Sequence, residues 1–195
     1  MNHSNAIDPA QSIVKRKRQV IHIFGASGSG TSTLARKICD ELGYAMMDTD
    51  DYFWMPTDPP FTTKRSVEER IQLIHRDIEA SENVVISGSL VGWGDVLIPT
   101  FTLAIRIVTD TDIRIMRIKE REFSRFGERI CVGGDMYEAH QAFLQWASSY
   151  DTGDVHMRSK AEHDEWQKLL ECKLLVIDGA KDLEVNFQYV KNEIL

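Results

Sequence analysis

Apolar residues along this 195-residue chain alternate between two patterns: short continuous runs, and longer stretches in which they return every third or fourth position. Val20-Ile-His-Ile-Phe24 is the first run; an unbroken β-branched stretch ending at a glycine predicts a parallel strand buried on both faces. Leu34, Ile38 and Leu42 then recur at helical spacing, and Gly43 stops that helix. Tyr44-Ala-Met-Met47 predicts a second strand that delivers Asp48, Asp50 and Asp51 at its carboxyl end. Pro56, Pro59 and Pro60 make Pro56–Thr63 a loop. Val67, Ile71, Ile74 and Ile78 mark an amphipathic helix opened by Ser66, with Glu69 placed for a capping box.

Further along, Asn83–Ser87 and Thr102–Val108 predict the third and fourth strands, and a helix is expected from about Thr111. After the break at Gly133-Gly134, Met136, Ala139, Phe143, Trp146 and Tyr150 form one stripe of another helix. Asp151–Asp154 reads as a turn, Ser159–Leu170 as a helix and Lys173–Ile177 as a fifth strand. Leu183, Phe187, Val190 and Ile194 form the inner face of the last helix. Strands alternating with helices imply βαβ units, hence an α/β fold with a parallel sheet between helical layers. The expected organisation is a tail over residues 1–18 and a single domain over 19–195.

Composition narrows the function classes. A net charge of −7 leaves no basic excess for releasing counterions from a polyanion, so general nucleic-acid binding is not expected. The tetrad Lys15–Arg18 reads as a solvated lead-in to the first strand. No apolar run approaches the roughly 20 residues needed to cross a bilayer, so no membrane association is expected. Cys39, Cys131 and Cys172 are odd in number and show no metal-ligand spacing; Cys39 and Cys172 lie in apolar-periodic segments, where buried free thiols are expected. Reduced cysteines point to a cytoplasmic location. Oligomeric state is not legible.

The strongest chemical signal is Gly25-Ala-Ser-Gly-Ser-Gly-Thr-Ser32, between a strand and a helix. Its glycines let backbone N–H groups turn toward phosphate oxygens, and the following helix N-terminus adds favourable potential for an anion. This is the context of a Walker A phosphate loop, GxxxxGK[ST], with Ser32 where the hydroxyl meets Mg²⁺. Thr31, however, stands where the motif has lysine. Gly25, Ala26, Ser27, Gly28, Ser29, Gly30, Thr31 and Ser32 are thus the expected ATP·Mg²⁺ site, and some other cation must supply the missing charge. Arg36 and Lys37 lie too far along the helix to reach back easily.

Arg114, Arg117, Arg121 and Arg125 recur at spacings of three, four and four and are expected to share one helix face. Like charges so placed repel, and an anion between them would reverse that penalty; Asp112, Glu120 and Glu122 offer the alternative of a salt-bridged solvated face. Trp54, Phe61, Lys64, Arg65 and Trp93 fall in the loops after the second and third strands. In this architecture those loops overlie one crevice, so they could wall an anionic or ring-containing acceptor or simply pack the loops. His22 reads as a core histidine.

From about Val20 to Leu195 the chain resembles the small P-loop kinases: the adenylate kinase, shikimate kinase and nucleoside kinase-like group. The phosphate loop is one point of likeness. Met47-Asp-Thr-Asp-Asp-Tyr-Phe-Trp54 is similar to the Asp-x-Asp of shikimate kinases and the Asp-Asp-Phe-like stretch of uridine and nicotinamide-riboside kinases. That likeness implies that Asp50 or Asp51 accepts an acceptor hydroxyl's proton while Asp48 joins Ser32 on the metal; a solvated acidic turn capping a short helix is the alternative. Arg117-Ile-Lys-Glu-Arg121 resembles the Arg-x-x-x-Arg of adenylate kinase-like proteins, which implies that Arg117 and Arg121 clamp phosphates. The ladder, with Arg129 or Arg158, holds the candidates to replace the lysine. Val176-Ile-Asp-Gly-Ala-Lys-Asp182 is similar to the turn that packs on adenine, with contacts around Gly179 and Lys181.

The likeness implies a three-layer P-loop fold with a five-stranded parallel sheet and a helical lid insertion, over about residues 127–159. Two departures bear on the acceptor. Ser87-Gly-Ser replaces the Asp-Gly of adenylate kinases, so Ser87 and Gly88 look more like part of an acceptor loop, as in shikimate kinases. The arginine that holds a nucleoside monophosphate in adenylate kinases is missing from that region, which weakens AMP as acceptor. The resulting expectation is an ATP-dependent phosphotransferase acting on a small molecule; a slow or non-catalytic ATP-binding regulator is the alternative, since Thr31 could mark lost transfer.

If residues 127–159 form a lid, closing it excludes water from the site. Hydrogen exchange across that segment is expected to slow when ATP·Mg²⁺ and acceptor are added together. Unchanged protection there would remove the lid from the scheme.

Overall fold

The computed structural model describes residues 18–195. Chain order is β1 (Val20–Gly25), α1 (Thr31–Leu42), β2 (Ala45–Asp48), α2 (Thr49–Phe53), α3 (Val67–Ala80), β3 (Val84–Ser87), β4 (Leu103–Val108), α4 (Thr111–Phe126), α5 (Tyr137–Ser148), α6 (Lys160–Trp166), β5 (Lys173–Asp178) and α7 (Leu183–Ile194). All of β1 is buried, as its unbroken apolar run predicts, because it lies at the centre of a five-stranded parallel sheet ordered β2-β3-β1-β4-β5. Ile21 pairs with Val85 on one side and Leu103 on the other.

Alternate residues of the strands feed two cores. Val20, Phe24, Val84, Ile86 and Ala104 pack with Ile74 and Ile78 of α3, Trp166 and Leu97. Ile21, Ile23, Val85, Ile105, Leu175 and Ile177 pack with Leu34 and Ile38 of α1 and with Phe187, Val190 and Ile194 of α7. The expected three-layer α/β architecture with its parallel sheet is the one observed. No described helix is long and apolar enough to cross a membrane.

Local chemistry sets several boundaries. Ser66 Oγ accepts from the Glu69 amide at 3.2 Å and Glu69 Oε2 from the Ser66 amide at 2.9 Å, the capping box the spacing predicts. The helix expected over Ser159–Leu170 is shorter, ending at Trp166 and tightening into a 3₁₀ turn, Gln167–Leu169. Of the Met136–Tyr150 stripe, Met136 caps α5 and Tyr150 lies in the 3₁₀ turn beyond it. Residues 1–17 of the expected tail, with Lys15 to Lys17, lie outside the described residues. Arg18 is not part of a loose tail: its guanidinium donates to Glu79 O at 2.7 Å and Ser81 O at 2.6 Å, satisfying carbonyls at the end of α3. Cys39, Cys131 and Cys172 are free, and each is half-buried rather than fully enclosed.

The arginine ladder does not hold together on one face. The inward row of α4 is Arg114, Ile118 and Glu122, all buried, and Arg117, Arg121 and Arg125 form the adjacent row. An i,i+4 row offset by one residue turns away by about 100°, so Arg114 leaves the ladder for the interior. There it is fully enclosed and donates to Thr109 O at 3.0 Å, Ala147 O at 3.1 Å and Asp151 Oδ2 at 2.8 Å. Arg114→Ala leaves those acceptors unpaired and is expected to cost about 3–5 kcal/mol in denaturant unfolding. Arg114→Lys should recover little, because one ammonium cannot span carbonyls and a carboxylate held by a planar fork.

Candidate active site

The loop between β1 and α1 is shaped for an anion. Gly28 and Gly30 have φ of 80° and 105°, in the left-handed region where side chains are disfavoured. A Cβ on Gly28 would lie 2.5 Å from Arg114 O, so α4 approaches too closely for any other residue. Gly30 caps α1 without a side-chain acceptor, and the first turn of α1 carries no acidic residue. The amides that open this helix therefore lack an acceptor from a capping side chain, and a phosphate fits them.

Ser32 connects the loop to the next strand. Its hydroxyl donates to Asp48 Oδ2 at 3.0 Å and accepts from Ser87 Oγ at 3.1 Å. Asp48 Oδ1 accepts from the Asp50 amide at 3.1 Å, so the same carboxylate caps α2. Asp48 is thus a helix cap, as the second reading of the acidic stretch expects, and its other oxygen faces the phosphate loop. Three clustered oxygen side chains suit Mg²⁺, which takes one or two carboxylates and keeps water and phosphate as its other ligands. The three aspartates do not converge into a cage; no group of three His, Cys, Asp or Glu side chains that could hold a metal occurs among the described residues. Ser87, expected on the acceptor side, is buried at the end of β3 on the Ser32 side instead. Gly88 is confined by packing, since a Cβ there would meet Thr49 Oγ1 at 1.9 Å.

Asp50 and Asp51 lie in the first turn of α2, both accessible to solvent. Desolvation by the surrounding protein, then the Asp48 charge, raises the Asp50 pKa, against the pull of Arg158 and Arg121. The same two causes raise Asp51, opposed by Arg125 and Arg65. Arg117 donates to Gly179 O at 3.0 Å and lies beside Gly30, where an added Cβ would be 3.9 Å from its Nη1. Arg121 pairs with Glu122 at 2.8 Å on its own helix. Arg129 is held by Asp135 at 2.7 Å and Asp58 at 2.9 Å. Half-buried Arg158 lies 3.4 Å from Ser27 Oγ, over the Trp146 ring at 4.5 Å from its centroid.

The residues expected to wall an acceptor separate into different roles. Trp93 is a core residue, 8% exposed, with its indole N–H on Ser89 O. Arg65 gives its guanidinium to the carbonyls of Asp51, Tyr52 and Trp54 at the end of α2. Trp54 packs on Phe53 and Phe61, with Lys64 over the Phe53 and Trp54 rings. An antiparallel bridge between Trp54 and Lys64 closes the proline-rich loop. On the far side, Gly179 donates to Val108 O and leaves no room for a Cβ, which would lie 2.5 Å from Ser29 O; Lys181 is exposed.

Sequence reasoning missed two features. Arg70 is 7% exposed, with its guanidinium 3.7 Å from the Phe53 ring centroid. It occupies the apolar row shared by Ile74 and Ile78, and an arginine in such a row was the available signal. His163 bridges Ser89 Oγ at 3.2 Å and Tyr150 Oη at 2.7 Å, tying the loop after β3 to α6. Burial first, then Arg158 and Arg106, lowers its pKa to about 3, so it is neutral at physiological pH. Its partners are 74 and 13 residues away, beyond the reach of a spacing rule.

No family model matches the chain. The uncharacterized protein YqaC of Bacillus subtilis is 41% identical over 166 residues, covering 85% of this chain and 90% of that protein. A cytidylate kinase of Archaeoglobus fulgidus is 27% identical over 113 residues, 52% of this chain and 61% of that one. Among solved structures, shikimate kinase from Bacteroides thetaiotaomicron superposes with a TM-score of 0.54 over 90% of this chain and 98% of that chain, at 14% identity. The chain therefore belongs to one family with YqaC of Bacillus subtilis and has the fold of the small-molecule P-loop kinases.

Proposed function

We propose that this protein transfers the γ-phosphoryl group of ATP to a hydroxyl of a small-molecule acceptor. The observation that carries the reading is the hydrogen bond from Ser32 to Asp48, which joins the phosphate loop to the strand end that presents Asp50. In the transfer, the acceptor oxygen bonds to the γ-phosphorus as the bond to the β-phosphate oxygen breaks, ADP leaves, and the hydroxyl proton passes to Asp50. A hydroxyl, unlike an ionised phosphate, has a proton to lose, and Asp50 with its raised pKa suits that task. Asp51 orients the acceptor beside it. Mg²⁺ held by Ser32 and Asp48 would supply charge neutralisation at the phosphate oxygens. Arg117, next to Gly30 and Gly179, serves the nucleotide side, and Arg121, whose charge reaches Asp50, the acceptor side. Residues 127–159 close over the site, and Gly179 with Lys181 borders the base.

Thr31 favours a second reading, a slow or non-catalytic ATP-binding regulator. A broad metabolite panel separates the two: the first predicts ADP formation above the hydrolysis background with some acceptor, and the second predicts none.

Asp50→Asn is expected to lower transfer on the order of 10²–10⁴-fold while the protein stays folded. The stability effect has a definite sign. A carboxyl whose native pKa lies above its unfolded value binds its proton more tightly when folded. Its contribution to stability therefore falls as pH rises from the ordinary carboxylate range through the raised value. At neutral pH Asp50→Asn should melt at or above the wild-type temperature, and the advantage should vanish in acid. Near-wild-type turnover in Asp50→Asn would remove Asp50 as the base.

A further inference from the structure

Thr31 leaves the phosphate loop without its own cation, and the geometry sorts the basic residues that could compensate. Lys37 on α1 is held by Glu41 at 2.7 Å and Glu184 at 3.2 Å. Arg114 is enclosed and committed to backbone carbonyls and Asp151. Arg121 and Arg129 have carboxylate partners, and Arg125 lies over the Phe61 and Phe126 rings. Arg117 flanks the loop at Gly30, on the side of the Gly179 turn, with one nitrogen on Gly179 O.

Arg158 differs from all of these. Its Nη2 lies 3.4 Å from Ser27 Oγ inside the loop sequence itself, and like Arg117 and Arg125 it forms no ion pair within 4.0 Å among the described residues. Its guanidinium carbon lies over the Trp146 ring, 4.5 Å from the centroid, a cation–π contact that helps hold it in place. Of the opposing charges acting on Arg158, Asp50 has the largest effect, ahead of Glu162 and Tyr150, so the guanidinium is electrostatically coupled to the proposed base. Ser159 and His163, immediately beyond, are fully buried, and Ser159 Oγ donates to Asp154 O at 2.6 Å, which anchors this stretch.

We infer that Arg158, from the segment between α5 and α6, supplies to the transferring phosphoryl group the positive charge that the loop lacks at position 31. The inference rests on the phosphotransfer reading above. An arginine is suited to the place: its fork can donate two parallel hydrogen bonds to phosphate oxygens where a lysine offers a point charge. Its present partner, a 3.4 Å contact to a neutral hydroxyl, is weak and easily exchanged for a phosphate oxygen.

The test uses calorimetric titration of ADP·Mg²⁺ with and without aluminium fluoride, which mimics the planar phosphoryl group, together with turnover on any acceptor found. Wild-type protein should bind ADP more tightly with fluoride. Arg158→Gln keeps the length and a donor but removes the charge. It should hold ADP alone within about twofold, lose the fluoride-dependent gain, and lose turnover on the order of 10²–10³-fold. Adding Thr31→Lys to Arg158→Gln should restore about tenfold or more of that loss, whereas Thr31→Lys alone should not raise wild-type turnover. If Arg158→Gln melts early, that contrast still decides: an equal gain from Thr31→Lys in both backgrounds overturns the inference. So does an Arg158→Gln variant that keeps the fluoride gain. A wild-type protein with neither a fluoride gain nor acceptor-dependent ADP release instead overturns the phosphotransfer reading itself.

Discussion

One carboxylate holds the site together. Asp48 at the end of β2 accepts the Ser32 hydroxyl with one oxygen and the amide that opens α2 with the other. The first bond couples the phosphate loop to its neighbouring strand; the second starts the short helix that carries Asp50 and Asp51. Because β3 lies between β1 and β2, Ser87 at its end completes the arrangement through Ser32. Altering Asp48 would thus disturb the proposed metal site, helix α2 and the acidic pair together, which makes it a poor residue for separating their roles.

Much of the fold was legible because the three central strands, β1, β3 and β4, are buried almost throughout and the helices over them have a one-sided apolar stripe. The phosphate loop was legible because its glycines are required by geometry, as the contact of Gly28 with Arg114 O shows. The arginines of α4 were only partly legible. Spacings of three and four place residues near one another, but they do not say which of two adjacent rows turns inward, and Arg114 and Arg117 fall on different rows. Trp93 and Arg65 could be placed only in loops, as an acceptor wall or as loop packing; the aromatic core and the free carbonyls of α2 captured them. His163 could not be placed, because its hydroxyl partners come together only in the tertiary structure.

The positions of the two flanking arginines give the loop an asymmetry. Arg117 approaches from α4, a regular 16-residue helix, and its bond to Gly179 O joins that helix to the turn after β5. Arg158 approaches from a segment with little regular structure, supported by a stack and a weak hydrogen bond. A cation built into the loop is present whenever nucleotide is bound. One carried on the segment between helices is present only when that segment is in place, so it would discriminate against transfer to water before the acceptor arrives.

The place of β1 has a consequence for how the chain is made. Among the described strands it is the earliest in the chain and the centre of the finished sheet, yet its partners begin at Val84 and Leu103. Until those residues have left the ribosome, an apolar strand with two unsatisfied edges has no mate in its own chain. Parallel pairing over such separations is slow and open to association with other chains. The phosphate loop, whose Ser29 carbonyl accepts from Thr109 and is closely approached by Gly179, takes its final shape only after β5 has emerged.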